Sequence, residues 1–333
     1  MKYALAIIAV IIAGNLKAQK NDFPHANFAR ADSIAFAHAN ESLGDPKKLA
    51  LNLTSHLSTE QEKFRAIFRW VTDNISYDYK LYQRIKRIER KYRYNKKELS
   101  KWNRRWNRTI DRQLVNKKST ICSGYSRLIN TLTDHAGILS TAVYGFGRTT
   151  EYPIGRGSMN HSWNVVKINS KWYLCDATWA SGGVDRTTGK FIKSYSDHYF
   201  LTDPSLFIAN HFPADTSWML LSNKPTYKQF VNAPLKSTAF ISNQVNQYFP
   251  PKGLIKTQAS KPVEFGLTFN NHTGQRPYIW IPETKHKDEQ IIFMSRQPDG
   301  MYVAEHRFPR RGAYRALVVI NNYVSLTYNV SVR

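Results

Sequence analysis

The sequence predicts an α+β protein that ends in a β-sandwich. Apolar residues recur every three or four positions up to about residue 135, as on buried helix faces, and strand-like alternating runs follow. Helices followed by strands are typical of an α+β domain. From about Ser237, short alternating runs separated by turn residues indicate an immunoglobulin-like β-sandwich. At 333 residues the chain is long enough for two domains.

Three segments follow from the pattern along the chain. Residues 1–18 resemble a secretory signal peptide, because Lys2 precedes an apolar run from Tyr3 to Ala13 that is too short to span a bilayer well. We expect cleavage after Ala18 and a secreted or periplasmic mature chain without a transmembrane segment. The stretch "SNKPTYKQFVNAP" loses periodicity, which places the boundary between a domain at 19–225 and a β-sandwich accessory domain at 226–333.

A core helix is expected at residues 59–76. Thr59 and Glu62 have the spacing of a capping box, in which the Thr side chain accepts from the third residue of the helix. The following apolar residues all fall on one helical face, which the domain core should cover: Phe64, Ile67, Phe68, Val71 and Ile75.

The formal charge of +24 is concentrated in a basic insert at residues 80–118, which holds sixteen Lys or Arg against three acidic residues. Apolar residues spaced by threes and fours predict two amphipathic helices separated near Asn95. Two interpretations stay open. The insert is either a solvated basic face over a packed apolar stripe, or a dock for an anionic envelope polymer such as lipopolysaccharide or for acidic proteins. Nucleic acid is a weaker candidate, because no nucleic-acid motif is present.

One of the two cysteines lies where a helix is predicted to begin. In "STICSGYSRL", helical periodicity starts near Thr120, so Cys122 falls in the first turn. Unpaired N–H groups and the helix dipole favour a thiolate there. Position alone is weak, because a nucleophilic cysteine also needs a base and a group that orients the base.

A base and an acid are found on a predicted hairpin, "HSWNVVKINSKWYLCDATW". If Asn169 and Ser170 form a two-residue turn, Trp163 lies opposite Asp176, His161 opposite Thr178, and His161 diagonal to Asp176 within side-chain reach. A three-residue turn would put His161 and Asp176 on opposite faces. Cys175 should point away from them as a buried apolar residue, and a disulfide with Cys122 is the less favoured alternative.

Four segments, in this order, resemble the transglutaminase-like superfamily, and most closely its kyphoscoliosis peptidase branch: "FRAIFRWVTDNISYD", "ICSGYSRLINTLTDHAGI", "NHSWNVVKINSKWYLCDATWASG" and "DHYFLTDPSLFIANHFPADTSWMLL". The resemblance implies a papain-like core, with the cysteine helix packed on an antiparallel sheet, and acyl transfer through a thioester. It implies that Cys122 is the nucleophile, His161 the base and Asp176 the orienting acid. It also implies that Trp163 and Trp179 are walls of the substrate site.

The resulting expectation is a secreted cysteine peptidase or transglutaminase-like acyltransferase that acts on peptide or isopeptide amides of protein substrates. The backbone N–H of Cys122 should serve the oxyanion, and Gln113 and Asn116 are candidates for the second donor. No metal-ligand spacing is present, so neither cofactor nor metal is expected. The alternative is a binding or scaffold protein that keeps the fold and docks through the basic insert without catalysis.

Overall fold

A computed structural model of the chain describes residues 22–23, 25–26, 28–148, 159–185, 187–270, 274–282 and 288–333. The predicted signal peptide lies outside these residues. Within the described ranges, no helix combines the length and the hydrophobicity needed to cross a bilayer.

The first two thirds of the described chain are a mixed α and β region. Its helices are α1 Phe28–Ala37, α2 Pro46–Thr54, α3 Glu60–Asn74, α4 Tyr79–Lys91, α5 Lys96–Lys117, α6 Cys122–His135, α7 Ala177–Ser181 and α8 Pro204–Phe207. Its strands are β1 Ser76–Tyr77, β2 Ser119–Thr120, β3 Ser140–Gly147, β4 His161–Ile168, β5 Lys171–Cys175, β6 Gly182–Val184, β7 Phe191–Lys193 and β8 His211–Pro213.

The predicted core helix is α3. The Thr59 hydroxyl caps it, accepting from the Glu62 amide, and Thr59 Oγ1 donates to Glu62 Oε2 at 2.6 Å. The five apolar residues predicted to share one face are all fully buried. They pack into a core with α1, α2 and α6, so the predicted helix and its buried face are confirmed.

The basic insert forms two helices, α4 and α5, and Asn95 caps the second by accepting from the Glu98 amide. Their apolar stripes share a small separate core of Leu81, Ile85, Trp106, Ile110 and Ile121. The short strands β1 and β2 pair in parallel where the insert leaves and rejoins the domain. This pairing returns the chain directly to the start of α6.

The central sheet is antiparallel, with the strand order β5-β4-β3-β8. Asn169 and Ser170 have φ values of 48° and 66°, and Ile168 pairs with Lys171. Two successive left-handed residues define the tight hairpin turn that the sequence predicts. The turn therefore sets the predicted register between β4 and β5.

The predicted second strand of this hairpin is too long. It ends at Cys175, because the Asp176 side chain accepts from the amides of Thr178 and Trp179 and thereby caps α7. Thr178 is thus helical and cannot lie opposite His161. The strand neighbour of His161 is instead Gly145 on β3.

The remaining residues form an all-β region preceded by two short helices, α9 Tyr227–Asn232 and α10 Thr238–Ser242. Its strands are β9 Leu235–Lys236, β10 Val245–Phe249, β11 Leu254–Thr257, β12 Pro262–Phe269, β13 Tyr278–Ile281, β14 Gln290–Phe293, β15 Ser295–Arg296, β16 Tyr302–Arg307, β17 Gly312–Ile320 and β18 Tyr323–Val332. One sheet has the order β10-β12-β16-β15 and the other β11-β18-β17-β13-β14, with β9 also paired to β18. The Phe265 and Tyr328 rings, one from each sheet, lie 5.3 Å apart.

Candidate active site

Cys122 is the first residue of α6, and no side chain caps this helix start. The Gly124 and Tyr125 amides donate to the Ile121 carbonyl, so the amides of Cys122 and Ser123 are the ones that precede the first bond of the helix. Gly124 allows the first turn of α6 to lie close to β2, because a Cβ at this position would fall 1.9 Å from Thr120 Oγ1. Cys122 remains 8% exposed, so the thiol is nearly buried without being sealed.

The Cys122 thiol contacts the beginning of β4. Burial alone would raise its pKa, but hydrogen bonding and charge from His161, with further hydrogen bonds from Ser162, hold the pKa below its ordinary value. Helix α6 is fixed to this strand by two bonds, from Ser126 Oγ to Ser162 Oγ at 3.2 Å and from Asn164 Nδ2 to the Ser126 carbonyl at 3.0 Å. The helix that carries the cysteine is thereby held against the strand that carries the histidine.

His161 and Asp176 meet in the buried interior, with His161 Nε2 2.7 Å from Asp176 Oδ2. Burial opposes the charged form of each, yet their mutual charge and hydrogen bond raise the pKa of His161 to about 10 and lower that of Asp176. Because Nε2 is taken by Asp176, Nδ1 is the ring nitrogen left for Cys122. The imidazolium is therefore the favoured form beside the thiol at neutral pH.

A second histidine shares the same carboxylate. His211 on β8 is fully buried, and its Nε2 lies 3.0 Å from Asp176 Oδ2 while its Nδ1 lies 2.6 Å from Asn210 Oδ1. Burial lowers the pKa of His211 to about 4 despite the nearby carboxylate. Sequence analysis did not select His211, because no carboxylate follows it on a predicted partner strand. The sequence signal that could have found His211 is its place in the "HFP" segment, which is part of the family resemblance.

Among the described residues, His161, Asp176 and His211 could also hold a metal ion, since one ligand atom from each lies within 4.8 Å of the others. Both imidazole contacts to the carboxylate are 2.7 to 3.0 Å long, which is the length of hydrogen bonds. The arrangement is thus explained by one acid that orients two rings.

The two tryptophans expected at the site have different positions. Trp179 stacks on His161 with ring centroids 4.9 Å apart and forms part of the wall of a cavity of about 430 Å³. Trp163 is 1% exposed, packs against Phe207 and His211, and does not line this cavity. Gly147 lets the stack form, because a Cβ there would lie 3.0 Å from His161 Cβ and 3.1 Å from Trp179 Cζ2.

The two candidates for a second oxyanion donor both lie on α5. Gln113 Nε2 donates to Asp78, the residue that caps α4, and Asn116 is exposed on α5. Neither lines the cavity beside His161. The expectation rests on nearness in sequence to Cys122, and it stays a prediction, because Cys122 itself is not among the residues that line the cavity.

Cys175 is a free thiol, as is Cys122. It is fully buried, and its Sγ lies 3.6 Å from the Asn164 carbonyl oxygen. Burial, and then the charge of Asp176, raise its pKa well above the ordinary value.

Comparison with known proteins matches residues 47–177 to the model of the Transglutaminase-like superfamily. Kyphoscoliosis peptidase from Mus musculus and that from Homo sapiens are each 30% identical over 217 residues, which is 64% of this chain and 30% of those proteins. Hillarin from Drosophila melanogaster is 26% identical over 227 residues, which is 64% of this chain and 25% of that protein. The alignments thus span less than a third of these curated relatives. The matched residues, from α2 to the start of α7, identify this part of the chain as a transglutaminase-like domain.

Proposed function

We propose that the protein is a cysteine-dependent acyl-transfer enzyme, with Cys122 as nucleophile, His161 as base and Asp176 as the group that orients the imidazole. The observation that carries the proposal is the buried chain of contacts from Cys122 through His161 to Asp176 at the start of a helix. Two curated relatives are named peptidases, which supports protein or peptide amides as the substrate class.

The chemistry uses groups already in place. The Cys122 thiolate attacks the amide carbonyl carbon, and the backbone N–H of Cys122 stabilises the resulting oxyanion. The protonated His161 gives its proton to the leaving amine as the C–N bond breaks, which leaves a thioester. His161 then takes a proton from the acceptor as this attacks the thioester, and the Cys122 thiolate leaves, which restores the initial pair of thiolate and imidazolium. Asp176 keeps the imidazole in position throughout.

The acceptor decides the reaction. Water gives hydrolysis of a peptide or isopeptide bond, whereas a primary amine gives transamidation. Incubating the protein with a glutamine-containing peptide library, with and without a fluorescent primary amine, separates the two outcomes by the mass of the products. Cys122→Ser is the matched control, and turnover that persists in this variant would contradict the proposal.

A second candidate is a binding protein that docks through the basic α4–α5 hairpin on an anionic envelope polymer. The sixteen basic residues of the insert outnumber its three acidic residues by thirteen. Each of those acids already has a basic partner: Glu89 pairs with Lys86, Glu98 with Lys101 and Asp111 with Arg127. This surplus faces solvent on both helices and favours attraction of polyanions at low salt. A site outside the cytoplasm is proposed with it, on the strength of the N-terminal apolar run.

Docking and catalysis are separable by experiment. Replacing four exposed arginines of α5 by Gln, at positions 104, 105, 108 and 112, should move elution from a lipopolysaccharide or heparin column to lower salt. Alkylation of Cys122 by iodoacetamide should be unchanged. Unaltered elution would contradict the docking role, and slow alkylation of Cys122 equal to that of Cys175 in the parent protein would favour a scaffold over an enzyme.

A further inference from the structure

The cavity beside His161 contains two basic side chains, Arg148 and Lys236. Arg148 directly follows Gly147, the residue in contact with His161 and Trp179, and Lys236 is in β9 at the edge of the all-β region. The cavity is thus built from both parts of the chain, with the catalytic histidine in its wall and basic groups contributed by each part.

No acidic residue is among the described residues that line this cavity. The Arg148 guanidinium donates through Nη1 to the carbonyls of Phe230 at 2.8 Å and Pro234 at 3.4 Å. Lys236 Nζ lies over the rings of Phe240, at 5.0 Å, and Tyr248, at 4.7 Å. Within the described part of the chain, both side chains are therefore held by neutral partners, and their charges are not balanced by a carboxylate.

Burial of these two charges is unfavourable in the absence of an anion. Burial, followed by repulsion from Arg148, lowers the pKa of Lys236 to about 8, and burial also lowers the pKa of Arg148. An anion bound between them would restore the favoured charged state of both. Ser237 and Thr238 also line the cavity, but their hydroxyls already have partners, the Val324 carbonyl for Ser237 and Tyr199 Oη for Thr238, so Arg148 and Lys236 carry the site.

We propose that Arg148 and Lys236 form a carboxylate-binding subsite, so that the enzyme selects substrates with a carboxylate close to the amide that reacts with Cys122. This inference rests on the proposed acyl-transfer function and specifies its substrate class. The carboxylate belongs either to an acidic side chain or to the free C-terminus of a peptide. Both present the same planar anion to a guanidinium and an ammonium.

The test measures binding rather than turnover, in the full chain with Cys122→Ala. The probes are short peptides with an uncharged coumarin tag, and their affinity is read by fluorescence anisotropy. One arm uses peptides with an amidated C-terminus and compares Glu with Gln at each position. The other arm uses peptides without acidic residues and compares a free C-terminal carboxylate with its amide. We expect one arm to show at least about tenfold tighter binding of the carboxylate, which identifies its source.

Substitution then assigns the effect to the subsite. Lys236→Met should remove most of the preference for the carboxylate without changing affinity for the neutral peptide, and Lys236→Arg should retain it. Lys228→Met on α9 is the matched control, because it removes the same charge from an exposed position outside the cavity. Lys236→Glu should favour Lys-containing peptides instead, which a loss of folding could not produce.

The outcomes separate this inference from the proposed function. Equal affinity for carboxylate and neutral peptides in both arms, or no binding of any peptide, would overturn the subsite. A preference that survives Lys236→Met and Arg148→Met would overturn it as well. If the carboxylate preference is found but the parent protein shows no turnover, the acyl-transfer proposal fails while the subsite stands.

Discussion

The start of α6 and the end of β5 each hold a cysteine, and the two thiols differ in their chemistry although both are almost fully buried. Burial raises the pKa of Cys175 well above the ordinary value, and the neighbouring Asp176 carboxylate adds to the effect. At Cys122 the same burial is outweighed by His161, so the pKa falls. Burial alone therefore does not set the pKa of a thiol, because a charge that the fold places beside it can outweigh burial.

Asp176 connects the two regions, because it directly follows Cys175 and its carboxylate is hydrogen-bonded to His161, the proposed base. Replacing it tests the comparison with the largest expected effect. Asp176→Asn keeps a side chain that can cap α7 but removes the charge that holds His161 protonated. We expect Cys122 reactivity and turnover to fall by about 10²- to 10⁴-fold with little change in the circular dichroism spectrum. Undiminished alkylation would show that His161 does not need this acid.

Replacing His211, which contacts the same carboxylate, should have a smaller effect on the reactivity of Cys122. His211→Gln removes one of the two rings bonded to Asp176 Oδ2, and we expect Cys122 alkylation at pH 7 to slow about tenfold. His135→Gln, at an exposed position on α6, is the control for loss of an imidazole. An equal loss of rate in both variants would exclude a specific role for His211.

His211→Gln should also change how the stability of the protein depends on pH. Because the pKa of His211 is lowered to about 4 in the folded protein, the unfolded chain takes up a proton below about pH 6.5 that the folded protein excludes. The stability contributed by neutral His211 is present above that pH and is lost as the pH falls towards 4. Urea unfolding between pH 6.5 and 4.5 should therefore show a shallower decline for His211→Gln than for the parent. Parallel declines would contradict a buried neutral His211.

Cys175 provides the smallest effect on reactivity. Cys175→Ala removes a fully buried side chain and should lower the free energy of unfolding by about 1–3 kcal/mol. Because its thiol does not face His161, the rate of Cys122 alkylation should match that of the parent. A matching loss of reactivity would mean that the two regions are not chemically separate.

The same pair of regions shows what the sequence could predict. The hairpin register followed from Asn169 and Ser170, since a two-residue turn permits one pairing, and the buried face of α3 followed from its spacing. The strand β5 was predicted to be too long, because Asp176 continues its alternating pattern. The fold instead uses Asp176 as the cap of α7. His211 and Lys236 reach the site by tertiary packing of two- and three-residue strands, which leave no periodic signal.

The pH dependence of alkylation at the two cysteines tests the central claim most directly. Iodoacetamide rates for Cys122 and Cys175 are measured between pH 5 and 10 by mass spectrometry of the two peptides, in the parent protein and in His161→Ala. We predict that Cys122 is already reactive at pH 6, that Cys175 reacts slowly throughout, and that His161→Ala moves the rise in Cys122 reactivity to higher pH. If Cys122 and Cys175 react with the same profile, or if His161→Ala leaves the Cys122 profile in place, the account of a histidine-activated thiolate is wrong.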